Sequence, residues 1–305
     1  MSSENPSNFR VDNIPLAIGS VVFAVLALSL GDALIKGASS GFAISQIFVL
    51  RSALVVPVFL GIFLIREPKA LRLPKRLGWA LLRSFLMASM WVCYYISLPF
   101  LELSAAAAAY YTCPIFITLF SGLLLGDKIK GLGWIAVLLG FLGVLLILRP
   151  KADDFNWYAL LPIVSAILYA FAMITTRAKL REEHPLVLAL TLHVSFIITG
   201  AVIAGVGVFS ASGYNPESLL FAAWVEMNPS QWSVMVTLGV AMLIGSICAV
   251  VAYQNGPPSL VGTFDFAYVG FAVMWGIVLL GETPDLMTIV GILLITGAGA
   301  MALRQ

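Results

Sequence analysis

Charge is what this sequence has least of. Only 10% of its 305 residues are Asp, Glu, Lys or Arg, against about 25% in soluble globular domains, and so thin a supply cannot cover a water-facing surface in proportion to its area. Histidine is nearly missing. The two histidines stand in no His-Glu-x-x-His pattern, which argues against a zinc hydrolase and leaves no metal site to propose. The three cysteines, Cys93, Cys113 and Cys248, all fall in apolar stretches and read as small hydrophobes rather than a disulfide framework. Gly122 to Lys128 has a faint likeness to a phosphate loop but lacks the Gly-Lys-Ser/Thr ending and a preceding strand, so no ATPase is built in and no cofactor is implied. A net charge of +2 gives no basic patch for nucleic acid.

What is abundant is apolar: 61% of the chain is hydrophobic, and that excess has to face lipid. After a polar stretch from Met1 to Asn13, with no basic cluster and no cleavage-like end to the segment that follows, which predicts no cleaved signal peptide, ten apolar segments follow. They run 14–36, 43–65, 77–98, 104–125, 132–148, 157–177, 186–209, 232–254, 259–280 and 286–303. Each comes close to the roughly 20 residues that cross a hydrocarbon core. None alternates with period two, so they are helices rather than barrel strands. The expected fold class is all-α, a polytopic membrane protein of ten transmembrane helices.

Orientation follows from the cations. With the N-terminus inside, the cytoplasmic side holds Arg10, Arg66, Lys69, Arg72, Lys75, Arg76, Lys128, Lys130, Arg177, Lys179, Arg181 and Arg304, and the other side only Lys36, Arg149 and Lys151. Both termini are therefore expected in the cytoplasm.

An internal repeat organises the rest. Shifted by about 155 residues, Cys93 meets Cys248, Ser104 meets Ser259, Phe116 meets Phe271, Leu124-Leu125-Gly126 meets Leu279-Leu280-Gly281, Asp127 meets Glu282 and Arg149 meets Arg304. The halves are 14–148 and 157–303, five spans each. An odd span number inverts the second half, and the loops agree. Lys128 and Lys130 correspond to Thr283 and Asp285, while the five cations after span 2 face Glu217 and Glu226 after span 7. Inverted repeats of this kind build secondary transporters, with the site near the midplane where the halves meet.

Arg51 early in span 2, the short link from Leu98-Pro99 to Ser104-Ala105, and the Leu-Gly-acid ends at Gly126-Asp127 and Gly281-Glu282 resemble the EamA-type drug/metabolite transporter superfamily over essentially the whole chain. The overall look is similar to the YddG-type amino-acid exporters of bacterial inner membranes. That resemblance implies a central cavity lined mainly by spans 1, 3, 4, 6, 8 and 9, and efflux of aromatic and other neutral amino acids. Nothing in the sequence requires more than a monomer.

Ionisable groups inside spans are costly and are functional candidates by default. Asp32 and Arg51 fall in the outer half, and Asp265 and His193 in the inner half. Coupling to protons through Asp32, Arg51, His193 or Asp265 stands beside the plainer readings, in which Asp32 pairs with Lys36 or Arg51, Asp265 braces a helix, and His193 bonds a backbone carbonyl. Arg83 lies near enough to a span end to snorkel. Aromatic residues offer a substrate lining: Trp91, Tyr94 and Tyr95 on one face of span 3, Tyr110 and Tyr111 in span 4, Tyr169 in span 6, and Phe264 and Tyr268 beside Asp265 in span 9. Tyr253 and Trp275 are further candidates, with an interfacial belt as the alternative for Tyr253. Pro114 inside span 4 is a candidate hinge, a static kink being the alternative.

A gradient-driven exporter is the leading reading. An intramembrane enzyme would need paired catalytic groups at one depth, whereas Asp32 and Asp265 are expected in opposite leaflets. A channel, a carrier for some other metabolite or drug, and a sugar-phosphate or nucleotide-sugar carrier remain as alternatives. The last of these would need more intramembrane cations than Arg51 and Arg83 supply.

Overall fold

A computed structural model describes residues 12–38, 42–66, 72–97, 100, 109–148, 157–209, 223–281 and 283–304, without the side chains of 32, 35–38, 66, 148, 208, 209 and 280. Among the described residues there is no strand. The helices are α1 Ile14–Ala38, α2 Ile44–Arg66, α3 Leu77–Ser97, α4 Cys113–Phe120, α5 Gly131–Leu148, α6 Leu160–Lys179, α7 Pro185–Phe209, α8 Pro229–Asn255, α9 Pro258–Asp265, α10 Ala267–Leu280 and α11 Leu286–Ala302. Among the described residues, seven helical stretches are long and apolar enough to cross a membrane: α1, α2, α3, α6 with its leading turn, α7, α8, and α9 with α10. Three shorter apolar stretches accompany them, Cys113–Leu125, Gly131–Ile147 and Leu286–Ala302. The described residues are thus all-helical, with the several long apolar helices of a multi-pass membrane protein.

Helix ends follow local chemistry. Prolines open α7, α8 and α9, where the missing N–H costs nothing. Asn228 and Gln231 form a reciprocal capping box ahead of α8, and Asp285 caps α11 through the Thr288 N–H. A π-helical turn, Ser121–Leu125, extends α4 to Gly126, and α10 ends at Gly281. These two glycines have φ of 73° and 67°, the left-handed region that a side chain disfavours.

Packing is mostly between distant parts of the chain. α1 lies along α8, α3 along α6, α2 along α7, and α5 along α11. Further contacts join α1 to α9 and α10, α6 to α4, α2 to α8, α3 to α7, and α4 to α9. The largest buried cluster draws on α1, α2, α3, α4, α6, α7, α8 and α9, from Ala17 and Val21 through Met87 and Met90 to Tyr253 and Val261. Outward faces stay apolar, as at Phe85, Ile198, Val202, Val278 and Leu293, which suits contact with acyl chains.

Two helical stretches are interrupted. The stretch beginning at Ala109 breaks at Tyr111 and Thr112 before α4 resumes, and the α9–α10 stretch breaks at Phe266. Pro114 is therefore the second residue of a new helix, and not a kink within a continuous one as the sequence suggested.

Candidate functional site

Asp265 ends α9 at the break, only 5% exposed. Its Oδ2 accepts a hydrogen bond from the Tyr253 hydroxyl at 2.6 Å and lies 3.4 Å from the Tyr169 hydroxyl, which also donates to it. Three chain segments, α6, α8 and α9, therefore converge on one carboxylate. Tyr253 is fully buried, which removes the belt alternative for this residue.

Aromatic rings extend from that point. Tyr169 neighbours Tyr110 with ring centroids 6.2 Å apart, Tyr110 neighbours Tyr94 at 5.4 Å, and Trp91 stacks on Tyr95 at 5.3 Å. Tyr111 is edge-on to Tyr110 and 5.3 Å from Tyr268. Eight of the aromatic and acidic residues singled out from the sequence, Trp91, Tyr94, Tyr95, Tyr110, Tyr111, Tyr169, Asp265 and Tyr268, thus form one connected group. The buried indole N–H of Trp91 has no acceptor among the described residues. Phe264 packs against the same central core and also toward the cluster of Ala136, Leu260 and Ala302 and against Gly299. Such a lining offers ring faces for apolar contact and hydroxyl, indole and carboxyl groups for polar recognition.

His193 sits elsewhere, fully buried between Ser52 Oγ at 3.3 Å from Nδ1 and Ser246 Oγ at 3.4 Å from Nε2. Its partners are hydroxyls, whereas the sequence suggested a backbone carbonyl or Asp265. The Arg51 guanidinium lies over Phe196 and Phe48 at 5.2 and 5.8 Å, and Phe196 also touches the His193 ring edge-on at 6.2 Å. Arg51 and His193 are thus near neighbours through one phenylalanine. Asp32 lies within α1, but its side chain and the link 101–108 fall outside the described residues.

Two features were not anticipated. Arg83 does not snorkel: it is buried at 1% exposure, donating from Nε to Thr176 Oγ1 at 2.8 Å. And the bundle end near Asn13 is tied by polar contacts. Arg177 grips Asp12 with two hydrogen bonds of 2.8 Å, and Arg181 also bonds Asp12. Both arginines reach the Gln254 carbonyl, and the Gln254 amide donates to the carbonyls of Leu180 and Glu183. These contacts join Asp12, two residues ahead of α1, to the ends of α6 and α8. Sequence could flag the cations there only as loop charge.

Residues 15–149 match the EamA-like transporter family. The chain is 26% identical to the pseudopaline exporter CntI of Pseudomonas aeruginosa strain UCBPP-PA14 over 93% of this chain and 96% of that one. It is 28% identical to a riboflavin transporter of Vibrio cholerae over 69% of this chain and 66% of the relative. One crystal structure superposes with a TM-score of 0.79 at 19% identity, covering 96% of this chain and 98% of the other, a likeness of fold alone. The chain is thus similar in its first half to the EamA-like transporter family, and over 93% of its length to a pseudopaline exporter.

Proposed function

We propose that the protein is a secondary exporter of amino acids, aromatic and other neutral ones, across the bacterial inner membrane. One observation carries the reading: a buried carboxylate, Asp265, held by two tyrosine hydroxyls at a helix break and continuous with a group of aromatic rings. An ammonium group is the natural complement of that carboxylate, and the rings complement an aromatic or apolar side chain. The indole N–H of Trp91 is available to a substrate acceptor.

Alternating access is read from ten spans in two inverted halves, 14–148 and 157–303, with both termini cytoplasmic. The packing supports this. Exchanging α1 with α6, α2 with α7, α3 with α8, α4 with α9–α10 and α5 with α11 turns the α1–α8 contact into α6–α3 and the α2–α8 contact into α7–α3. The same exchange leaves α2–α7 and α5–α11 unchanged. The helix breaks at Tyr111 and Phe266 and the left-handed caps at Gly126 and Gly281 obey the same exchange, at a shift of 155 residues. Broken helices at a repeat interface are where carriers bind substrate. Pro114, at the start of the resumed helix, is the proposed hinge. Asp265 is the proposed coupling residue, with Asp32, Arg51 and His193 as secondary candidates.

A second reading, export of a larger metabolite, draws on the relatives named for pseudopaline and riboflavin and on the same ring-lined group. Counterflow in proteoliposomes decides between them. Unlabelled phenylalanine or tryptophan preloaded inside drives uphill accumulation of the labelled amino acid under the first reading. Counterflow with riboflavin and none across an amino-acid panel would favour the second.

A further inference from the structure

Arg83 lies seven residues into α3, between α6 and α7. Its Nε donates to Thr176 Oγ1 at 2.8 Å and its Nη1 to the Leu188 carbonyl at 3.5 Å. The Thr176 hydroxyl donates onward to the Ala172 carbonyl at 2.8 Å, so its proton is committed. The remaining nitrogen, Nη2, is buried and has no acceptor among the described residues. Nor does any carboxylate of the described residues pair with this guanidinium. Helices α3, α7 and α8 and the end of α6 form an apolar cluster of Ala80, Leu180, Leu188 and Val250, all fully buried, and the Leu188 carbonyl of that cluster accepts from Arg83.

A guanidinium keeps its charge in any protein environment and has five donors in a rigid fork. Burying one without a counter-anion costs several kcal/mol, and a purely structural brace for α3 and α6 would be made more cheaply by a neutral side chain. We infer that Arg83 is a binding site for a substrate carboxylate, occupied when the molecule opens at the bundle end held by Asp12. The fork fits a carboxylate with two parallel hydrogen bonds. One isolated cation balances one carboxylate, and a phosphate would demand more positive charge than the surroundings hold.

The site also has a fixed relation to the aromatic group. Thr176 and Tyr169 are seven residues apart on α6, hence on one face and about 10.5 Å apart along its axis. Arg83 thus stands two turns from the Asp265 site, on the side where Arg177, the residue after Thr176, is latched to Asp12. An amino acid cannot touch both ends at once. Arg83 takes the carboxylate first, and Asp265 takes the ammonium deeper in the bundle. This order rests on the export reading proposed above, while the carboxylate preference of Arg83 does not.

The test uses the full-length protein in membrane vesicles with its inner face outward. Phenylglyoxal labelling of Arg83, read by peptide mass spectrometry, is slowed at least fivefold by 3-phenylpropionate and by phenylalanine, and not by phenethylamine, which lacks the carboxylate. Protection by neither carboxylate, equal protection by phenethylamine, or no labelling at all would overturn the assignment. So would stronger protection by phenyl phosphate than by phenylpropionate, because that makes the ligand a phosphate. In transport, Arg83→Gln raises the KM for phenylalanine at least tenfold while inhibition by phenethylamine is unchanged, and Arg83→Lys recovers part of the loss; equal loss for both ligands would mark a brace. If amino-acid counterflow fails while phenylpropionate still protects Arg83, the amino-acid reading falls and the carboxylate site stands.

Discussion

The hydroxyl of Tyr253 and the carboxylate of Asp265 meet at 2.6 Å across the turn that carries α8 into α9. Two residues twelve apart in sequence thereby fix the approach angle of two helices, with Gly256, Pro257 and Pro258 making the turn between them. The contact also orients the carboxylate toward Tyr169. Structure and proposed chemistry therefore share one bond, and its removal should be felt in both.

Tyr253→Phe deletes the shorter of the two hydrogen bonds to Asp265 and leaves the ring in place. A buried bond of this kind contributes about 1–3 kcal/mol, which for a chain of this size lowers the melting temperature in detergent by on the order of 5 °C. Tyr169→Phe removes the 3.4 Å contact and has the smaller effect. Thermal unfolding of both variants in one detergent checks the order, and a larger loss in Tyr169→Phe would contradict it.

Asp265 should govern the response to pH. Its ionised form attracts a substrate ammonium and its protonated form does not, so substrate affinity is full at higher pH and declines as acid converts the one into the other. Asp265→Asn lowers affinity by about tenfold or more and flattens the profile. His193→Gln retains the wild-type slope, because His193 is held by Ser52 and Ser246, away from this carboxylate. Counterflow KM measured between pH 5 and 8 for the three proteins separates these outcomes.

Much of this was legible in the sequence, and the part that was not has a physical reason. Lipid requires self-satisfied backbone, so each apolar run is expected to be a helix; the described helices lie along those runs, with breaks at Tyr111–Thr112 and Phe266 that hydropathy does not show. Gly126 and Gly281 were visible as punctuation, and they take up the left-handed cap that only glycine accepts easily. The connected tyrosines were found because helical spacing places Trp91, Tyr94 and Tyr95 on one face. The burial of Arg83 is not legible in the sequence, because position along a span tells depth but not which way a side chain turns. Arg83 turns inward to Thr176, and that depends on α6, ninety residues on. For the same reason Asp12, Arg177 and Gln254 could be counted as loop or helix-end residues but not recognised as one contact.

Asp12→Asn tests whether that contact holds its end of the bundle closed. Asp12 is a shared partner of Arg177 and Arg181, and the side chains are 16% to 26% exposed. A partly exposed pair contributes about 1 kcal/mol at most, enough to shift an open–closed equilibrium about fivefold. With Val250→Cys as a reporter, a residue fully buried below the latch, maleimide modification is expected to speed up by about that factor. An unchanged rate would mean that the ion pairs decorate a closure made by apolar packing.

The α5–α11 contact offers a sharper test of packing. A Cβ added at Gly143 would lie 2.7 Å from the Gly291 carbonyl oxygen, and one added at Gly291 would lie 2.7 Å from the Gly143 oxygen. The two backbones therefore touch at reciprocal glycines, which is how transmembrane helices pack without a hydrophobic driving force. Neither atom belongs to a flexible side chain that might swing aside, so Gly143→Ala or Gly291→Ala must separate the helices, at about 1–3 kcal/mol each. Once one substitution has moved the helices apart, the second meets less resistance, and the double variant should lose less than the sum of the two singles. Melting temperatures of the singles and the double in the same detergent measure that shortfall, and strict additivity would show that the two glycines do not share one contact.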